Sequence, residues 1–332
     1  MKIAFVGKGG SGKTTLSALF LRSLATQHRP VLAFDADINQ HLAVALGVPA
    51  DVAAGLAPLG GRLDAVKEYL RGDNPRIPSA EAMIKTTPPG RGSRLLAVGP
   101  GEPLWERYGH WVDGARLLVT GPFSAADLGV ACYHGKVGVV ELLLNHLVDG
   151  PGEYVVVDMT AGADAFASGL FTRFDQTVLV VEPTRKSVSV YHQYRTYAAE
   201  QDIAISVVGN KVIDPTDVEF LHEHVGGDLL GCIGLSGAVR AAERGGPPPR
   251  LADLTDTDRA TLRAIQTALD TTTRDWPRYT RQAVEFHRRN AAAWGDRVTG
   301  QRLVDQIDPG FVLGPDALTP NTQSGSAPAA GR

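Results

Sequence analysis

The segment at positions 7–15 reads Gly-Lys-Gly-Gly-Ser-Gly-Lys-Thr-Thr and lies between a short apolar run at 3–6 and a helical pattern at 14–26. Its glycines allow the backbone to curl until successive N–H groups point inward. A helix that begins directly after such a turn adds the positive end of its dipole to the same concavity. The segment therefore predicts a strand, an anion-binding loop and a helix in that order, which is how an α/β fold begins.

The loop also carries the side chains that a bound polyphosphate needs. Lys13 can bring its ammonium group to the β- and γ-phosphates, and the hydroxyl of Thr14 is a suitable ligand for Mg²⁺. A glycine turn that only shapes the chain would not require this lysine and threonine, so we expect a nucleotide site. Its predicted residues are Gly7, Gly9, Gly10, Ser11, Gly12, Lys13, Thr14 and Thr15.

Further apolar runs alternate with helical patterns along the chain. Near-continuous runs of this kind are typical of strands buried on both faces of a parallel sheet. The alternation predicts a doubly wound α/β fold, with a mostly parallel sheet and helices on both faces. The predicted strands are 3–6, 31–34, 95–98, 117–119, 154–157, 178–181 and 204–208, and the predicted helices are 14–26, 63–70, 137–148, 188–199, 236–243, 258–269 and 279–294.

Two regions interrupt this alternation. Residues 48–94 are rich in Gly, Pro and Arg, and we interpret them as an insertion or surface lobe within a domain spanning residues 1–272. Residues 273–314 are interpreted as a C-terminal helical extension. The tail from 315 to 332 consists mainly of Pro, Ser, Thr, Gly and Ala and is predicted to be disordered, because it cannot bury enough apolar surface.

The net charge and the number of cysteines limit which classes of protein this chain can belong to. A net charge of −3 provides no global basic field, so binding to nucleic acid is not expected unless a local patch supports it. The two cysteines, Cys132 and Cys232, are too few for a disulfide framework and are compatible with a reducing cytosol. Because no apolar run is long enough to span a bilayer or to act as a signal peptide, we expect a cytoplasmic protein.

Acidic residues end two of the predicted strands. Asp35 and Asp37 follow the run 31–34, and Asp158 follows the run 154–157. Since the carboxyl ends of parallel strands meet at the ligand crevice, all three are expected near the phosphates. Asp158 is predicted to hold Mg²⁺ through water, and Asp35 is a second candidate for the ion. The alternative for Asp35 and Asp37 is that they cap the following helix.

A polar pair, Asn210 and Lys211, follows the run 204–208. An amide offers the donor and the acceptor that reading the edge of adenine requires, although an asparagine in a plain turn would look the same. Both residues are included in the predicted nucleotide site. The segment 231–235 is expected to close the base pocket, with Cys232 as a small buried apolar residue.

Several of these segments together resemble the deviant Walker A family of ATPases, which includes MinD, ParA, the nitrogenase iron protein and the CooC-type nickel maturation ATPases. The segments are GKGGSGKTT, FDADINQHLAVALG, EPTRKSV and VVGNKV, and the resemblance covers about residues 1–245, with the CooC branch fitting best. The resemblance implies a P-loop ATPase that requires Mg²⁺, hydrolyses ATP to ADP and forms a nucleotide-dependent homodimer. It also implies that Asn210 reads the adenine.

Two catalytic roles are implied by the same resemblance. Lys8 is the signature lysine, which reaches across the dimer to the partner's phosphates, whereas without a dimer it would be a solvated loop lysine. Asp37 lies in switch I and orients the attacking water. Lys13 contacts the phosphates, and Gly162 lies in switch II behind Asp158.

A possible transition-metal site is also implied. The segment GVACYHGKVGVVELLLNHL resembles the CooC segment whose CxC pair holds a metal ion between two subunits, and here those positions carry Cys132, Tyr133 and His134. Thiolate and imidazole are both ligands for Ni²⁺ or Zn²⁺. The departure from CxC leaves a second interpretation open, in which Cys132 packs in the core and His134 is an ordinary polar residue.

The resemblance leaves two functions to compare. The first is a maturation or metal-insertion accessory ATPase that acts on a client protein such as a metalloenzyme. The second is a positioning or partitioning ATPase of the ParA or MinD kind. The polar tail contains no amphipathic membrane helix, and the chain lacks paired cysteines for a bridging cluster, which disfavours the MinD-like and iron-protein functions.

Overall fold

A mostly parallel β-sheet forms the centre of the protein. The computed structural model describes residues 1–122, 133–159, 166 and 169–318. The strands are β1 Lys2–Gly7, β2 Val31–Ala36, β3 Leu96–Ala97, β4 His110–Val112, β5 Ala115–Val119, β6 Leu147–Val148, β7 Tyr154–Met159, β8 Gln176–Val181, β9 Ile205–Val212 and β10 Leu229–Gly234. Eight of them form one sheet in the order β10-β9-β8-β1-β7-β2-β5-β4, in which β4 and β5 pair antiparallel. The predicted fold class is confirmed.

Helices cover both faces of this sheet. They are α1 Lys13–Ala25, α2 Leu42–Ala45, α3 Ala50–Ala54, α4 Leu63–Arg71, α5 Pro103–Tyr108, α6 Tyr133–His146, α7 Arg185–Gln201, α8 Pro215–Val225, α9 Gly237–Ala242, α10 Asp256–Asp270, α11 Trp276–Asn290, α12 Asp296–Thr299 and α13 Pro315–Leu318. Apolar residues of α1 and α10 pack on one face, and those of α6, α7 and α8 on the other.

Strand β1 illustrates why its sequence is apolar throughout. Ile3 and Phe5 belong to the core cluster on the α1 face, whereas Ala4 and Val6 belong to the cluster on the α6 face. Successive side chains of a strand point to opposite faces, so a strand covered on both sides has no polar face. The run therefore fits the centre of the sheet, where β1 lies between β8 and β7.

Two predicted elements differ in the structure. The run predicted as a strand at 95–98 does not join the main sheet, because Leu96–Ala97 pairs with Leu147–Val148 in a separate two-stranded sheet. The same pairing ends the helix predicted over 137–148 at His146. Helix α8 was not among the predicted helices, although Asp214 caps it and Pro215 occupies its first position, a recognisable start signal.

The region predicted as an insertion or surface lobe, 48–94, is part of the main core. Leu59, Leu70, Ile77 and Met83 are at most 1% exposed and belong to the same core cluster as β7 and α6. The abundance of Gly, Pro and Arg suggested a loop-rich surface, but it did not reveal these widely spaced apolar anchors.

The extension that follows residue 272 is held to the sheet by buried charges. Arg274 pairs with Asp149 and Asp175, and Lys2 donates to Oδ1 of Asp149 at 2.5 Å. We call these four residues the basal ion cluster, since they lie at the amino end of β1. The ring of Trp276 in α11 lies beside both cations, 5.2 Å from Nζ of Lys2 and 4.6 Å from Cζ of Arg274.

The remainder of the extension packs against the 48–94 region. Gln306 donates to the carbonyl oxygen of Ala82 at 2.7 Å, and Ile84 shares a small core cluster with Ala291 and Leu303. The predicted disordered tail begins in the structure with the four-residue helix α13, and its residues beyond 318 lie outside the described part of the chain. Among the helices of the described residues, none has both the length and the apolar content to cross a bilayer.

Candidate functional site

The candidate site lies at the carboxyl edge of the central strands. Strand β1 ends in the glycine loop and is flanked by β7, which carries Asp158, and by β8, which is followed by Glu182. Strand β2 carries Asp35 and pairs with β7 so that Asp35 lies opposite Asp158. The parallel topology therefore gathers residues that are far apart in the sequence, as the position of each acid at a strand end predicts.

The loop has the curled backbone that the glycines predict. Gly10 and Gly12 have φ angles of 81° and 92°, in the left-handed region that favours glycine. The N–H of Ser11 donates to the carbonyl oxygen of Lys8 at 3.0 Å, which closes the turn. Gly9 and Gly10 are exposed, and the buried hydroxyl of Ser11 has no hydrogen-bond partner among the described residues. Helix α1 begins at Lys13, so its first N–H groups face the loop.

Lys13 forms an ion pair with Asp37, the residue predicted to lie in switch I. Its Nζ lies 2.7 Å from Oδ2 of Asp37, and both side chains are at most 10% exposed. The other carboxylate oxygen of Asp37 accepts from the backbone and side-chain amides of Asn39. The predicted phosphate-binding lysine and the predicted water-orienting acid are therefore in direct contact.

Asp158 is a fully buried acid with an incomplete set of partners. Its Oδ1 accepts from the hydroxyl of Ser17 at 3.2 Å, and the Thr14 side chain lies near enough to the carboxylate to lower its pKa. Its Oδ2 has no hydrogen-bond partner among the described residues. Burial raises the pKa of Asp158 to about 6, although the charge of Lys13 works in the opposite direction. A buried oxygen without a partner beside a hydroxyl ligand fits a cation site.

Asp35 is buried beside Asp158 but is occupied by backbone groups. Its Oδ2 accepts from the N–H of Leu42 at 2.9 Å and its Oδ1 from the N–H of Asp37 at 3.2 Å. Burial and then the charge of Asp158 raise the pKa of Asp35 well above its usual range. These contacts favour the capping interpretation of Asp35 at the start of α2, and its role as a Mg²⁺ ligand stays a prediction. We call Asp35, Asp37 and Asp158 the acidic cluster.

Lys8 differs from Lys13 in its surroundings. It is half-buried, and its ammonium group makes no hydrogen bond or ion pair with the described residues of this chain. A lysine at the mouth of the loop that has no partner within the described ranges is available to a phosphate or to a second chain. Its role across a dimer stays a prediction.

Asn210 and Lys211 both reach the glycine loop. Nδ2 of Asn210 donates to the carbonyl oxygen of Ser11 at 2.7 Å, and a Cβ atom at Gly12 would collide with that amide. The two residues line a small pocket beside the first turn of α1. Its other lining residues are Gly12, Thr15, Leu16, Leu19, Ile233, Gly234, Leu235, Ser236, Val239, Arg240 and Glu243. The predicted base-pocket segment 231–235 thus contributes three residues, whereas Cys232 is half-buried and does not line the pocket.

Part of the predicted site falls outside the described residues. These residues are Cys132 and Gly162, together with the side chain of His134, whose backbone lies in the first turn of α6. Within the described part of the chain, no group of three or more His, Cys, Asp and Glu side chains is arranged around a common metal position. The Ni²⁺ or Zn²⁺ site therefore stays a prediction.

The sequence analysis missed two residues, Ser17 and Gln40, that lie beside the candidate site. Ser17 is four residues after Lys13 on α1, so the helical period alone directs it to the same face, towards Asp158. Gln40 connects the segment after β2 to the residues that follow β5, because its Nε2 donates to Oγ1 of Thr120 at 2.9 Å and its Oε1 accepts from the N–H of Gly121 at 3.0 Å. Gln40 has a φ angle of 52°, which no local pattern predicts.

The chain is similar to known proteins both in sequence and in fold. Residues 3–248 match the CobQ/CobB/MinD/ParA nucleotide-binding domain family. The carbon monoxide dehydrogenase accessory protein CooC of Rhodospirillum rubrum is 32% identical over 248 residues, which cover 74% of this chain and 88% of that protein.

Two solved structures share the fold. MinD in the MinC:MinD cell division complex of Aquifex aeolicus has a TM-score of 0.53 and 19% identity, covering 80% of this chain and 95% of that one. MinD of Pyrococcus horikoshii in complex with Mg-ADP has a TM-score of 0.51 and 17% identity, covering 80% and 94% of the two chains. At this level of identity the likeness concerns the arrangement of strands and helices.

Proposed function

Because the chain belongs to the CobQ/CobB/MinD/ParA nucleotide-binding family, we propose that it is an ATP-hydrolysing switch whose glycine loop holds Mg-ATP. The observation that carries this proposal is Oδ2 of the buried Asp158, which has no hydrogen-bond partner among the described residues and whose carboxylate lies near the side chain of Thr14. A buried carboxylate oxygen without a partner is costly, and a bound cation removes that cost.

Thr14 and Asp158 are the residues that would hold Mg²⁺. Hard cations of this size prefer oxygen ligands and retain several waters, so one hydroxyl and one carboxylate are a suitable pair. When bound, the ion neutralises charge on the β- and γ-phosphates. Ser17 fixes the orientation of the Asp158 carboxylate through its 3.2 Å hydrogen bond.

The contact between Lys13 and Asp37 suggests how nucleotide entry acts on switch I. A phosphate that takes the ammonium group of Lys13 must replace the carboxylate of Asp37, which lies 2.7 Å from it. The released Asp37 is then free to orient the attacking water, and the switch I segment changes its contacts. In this way the energy of phosphate binding becomes a change in the protein surface.

We propose that two such chains close over their nucleotides and that Lys8 of each chain enters the site of the other. Its half-buried position at the loop and its lack of an ion pair within the described residues support this role. Lys8→Ala is expected to abolish ATP-dependent dimerisation in sedimentation measurements and to slow turnover by at least about 100-fold. Retention of both properties would remove Lys8 from the mechanism.

The biological role that we propose is a maturation or metal-insertion accessory ATPase acting on a client enzyme. It is supported by the 32% identity to an accessory protein of carbon monoxide dehydrogenase. Ni²⁺ or Zn²⁺ is the proposed cargo, with Cys132 and His134 as its proposed ligands. Metal analysis of the wild type against Cys132→Ser is expected to find bound metal in the wild type only, and absence of metal from both would exclude this cargo site.

Two experiments test the proposed function. Calorimetry of the wild type is expected to detect Mg²⁺-dependent binding of one ATP per chain, and Lys13→Ala is expected to weaken it by at least about 100-fold. Capture of partners by Asp37→Ala, which is expected to remain in the ATP-bound state, then identifies the client. A metalloenzyme would support the accessory role, whereas DNA or a polar membrane protein would support the positioning role instead.

A further inference from the structure

Strand β9 is irregular where it reaches the nucleotide site. Lys211 has a φ angle of 59°, in a region that residues other than glycine rarely adopt. The pairing with β10 shifts at the same point, since Ile233 lies opposite Asn210 while Gly234 lies opposite Val212. Lys211 is therefore the extra residue of a β-bulge, a feature that often redirects a side chain beside a functional site.

The bulge directs two consecutive side chains to the same loop. In a regular strand, Asn210 and Lys211 would point to opposite faces of the sheet. Here Nδ2 of Asn210 donates to the carbonyl oxygen of Ser11 at 2.7 Å, and Nζ of Lys211 donates to the carbonyl oxygen of Gly10 at 2.6 Å. The two neighbouring carbonyl groups of the loop are thus held from one side.

An acid on the adjacent strand holds Lys211 in this position. Oε1 of Glu182, the residue after β8, lies 2.7 Å from Nζ of Lys211. The backbone N–H of Glu182 donates to Oγ of Ser187 at 3.0 Å, so the acid itself is fixed at the start of α7. The side chain of Glu182 is 21% exposed and that of Lys211 is 39% exposed, so the pair lies at the rim of the site.

We propose that Glu182 and Lys211 form a loop clamp that keeps the glycine loop curled for phosphate binding. Because Lys211 and Asn210 hold the carbonyl oxygens of Gly10 and Ser11, the N–H groups of the loop are left to point towards the phosphates. Glu182 is a positioning residue, since it acts through Lys211. This inference rests on the proposed nucleotide site. It adds Glu182 as a residue that shapes the glycine loop before a nucleotide binds.

Lys211 could affect nucleotide binding in two ways: by holding the loop, as in the clamp, or by contacting the base or ribose directly. Its ammonium group is already shared between a loop carbonyl and a carboxylate, both at hydrogen-bonding distance. An effect that operates through the loop should influence every ligand that carries a chain of phosphates. An effect that operates on the base or the ribose should influence only ligands that carry these groups.

The test compares Mg-ATP with inorganic tripolyphosphate, which lacks base and ribose. Dissociation constants are measured by calorimetry for the wild type, Glu182→Gln, Lys211→Met and the double variant, with Glu200→Gln, an exposed acid on α7, as the control. We expect Glu182→Gln to weaken both ligands by about fivefold to tenfold, the size of one charge-assisted hydrogen bond. The double variant should bind no more weakly than Lys211→Met, because Glu182 acts only through that lysine.

Each other result overturns a defined part of the proposal. If the wild type binds neither ligand, the proposed nucleotide site fails and the clamp fails with it. If the wild type binds but Glu182→Gln stays within twofold of it, the clamp alone is wrong. If ATP is weakened and tripolyphosphate is not, Lys211 recognises the base or ribose instead. If Glu182→Gln does not fold, Glu182→Asp and Lys211→Met serve for the same comparison of the two ligands.

Discussion

The two ends of β1 carry buried charges that are organised in opposite ways. At the amino end, the basal ion cluster combines Lys2 and Arg274 with two carboxylates, and each carboxylate contacts at least one cation. At the carboxyl end, about 20 Å away along the six-residue strand, Lys13 is the one cation in the described part of the chain that pairs with the acidic cluster. The amino group of Met1 also pairs with Asp149, so the first arrangement satisfies its carboxylates within the chain, whereas the second leaves a deficit of positive charge.

The pKa values reflect this difference. Burial alone would raise the pKa of Asp149, but the charges of Lys2 and Arg274 hold this pKa well below its usual range. Burial raises the pKa of Asp158 to about 6, because Lys13 only partly compensates for it. A carboxylate that the protein satisfies by itself serves the fold, whereas one that it leaves unsatisfied is suited to a ligand that brings positive charge.

The same substitution at the two ends should therefore have opposite effects on stability. Asp149→Asn is expected to lower the free energy of unfolding by about 3–5 kcal/mol, because it leaves buried cations without their partner. Chemical denaturation measures this loss. The control is Asp228→Asn, whose partner Arg195 is 61% exposed, and for which less than about 1 kcal/mol is expected. Equal losses for the two variants would contradict the comparison.

Asp158→Asn is expected to stabilise the nucleotide-free protein, by on the order of 2 kcal/mol at pH 7.5, since it removes a charge that burial disfavours. It should also remove the rise in melting temperature that Mg-ATP produces in the wild type. Thermal unfolding with and without Mg-ATP measures both effects. A variant that is less stable than the wild type in the absence of ligand would show that the charge of Asp158 serves the fold after all.

The pH dependence should separate the two ends as well. The pKa of Asp158 is raised in the folded state from about 3.9 in an unfolded chain, so its contribution to stability falls as pH rises between about 4 and 6. The pKa of Asp149 is lowered, so its contribution is present above about pH 4 and is lost as pH falls further. From pH 7 to pH 5, the wild type should gain on the order of 1 kcal/mol relative to Asp158→Asn. A difference that does not change with pH would contradict this assignment.

The smallest effect is expected at Asp35. Asp35→Asn keeps one acceptor oxygen for the N–H of Leu42 but loses the acceptor for the N–H of Asp37. Because this loss offsets the gain from removing a buried charge, we expect stability to change by less than about 1 kcal/mol. If Asp35 serves α2 and is not a ligand, Mg-ATP affinity should fall by less than about tenfold, far less than for Asp158→Asn. Titration of Mg²⁺ at fixed ATP compares the two variants, and equal losses would restore Asp35 as a ligand.

The parts of this molecule that the sequence predicts are those encoded by local patterns. The glycine loop, its lysine and the acid after each apolar run are short motifs, and the family inferred from them is confirmed by the match over residues 3–248. The parallel sheet then brings these strand ends together without further information from the sequence.

Other parts depend on contacts between distant segments. Lys2 and Asp149 are 147 positions apart, and no periodicity relates Arg274 to Asp175. The bulge at Lys211 depends on the register of β10 against β9, which local propensity does not determine. The burial of Leu59 and Met83 likewise depends on the core that they meet, so a segment rich in glycine and proline was interpreted as surface.

The anchoring of Arg274 has a consequence for any attempt to dissect the chain. Residues 3–248 match the family, and the first domain was predicted to end at residue 272. An expression boundary drawn at residue 272 would therefore look natural. Such a fragment would lack Arg274, so the buried Asp175 would lose its ion pair and Asp149 would be left with Lys2 and the amino group of Met1. The practical minimal unit therefore includes α11, and shorter fragments are expected to be recovered mainly as aggregates.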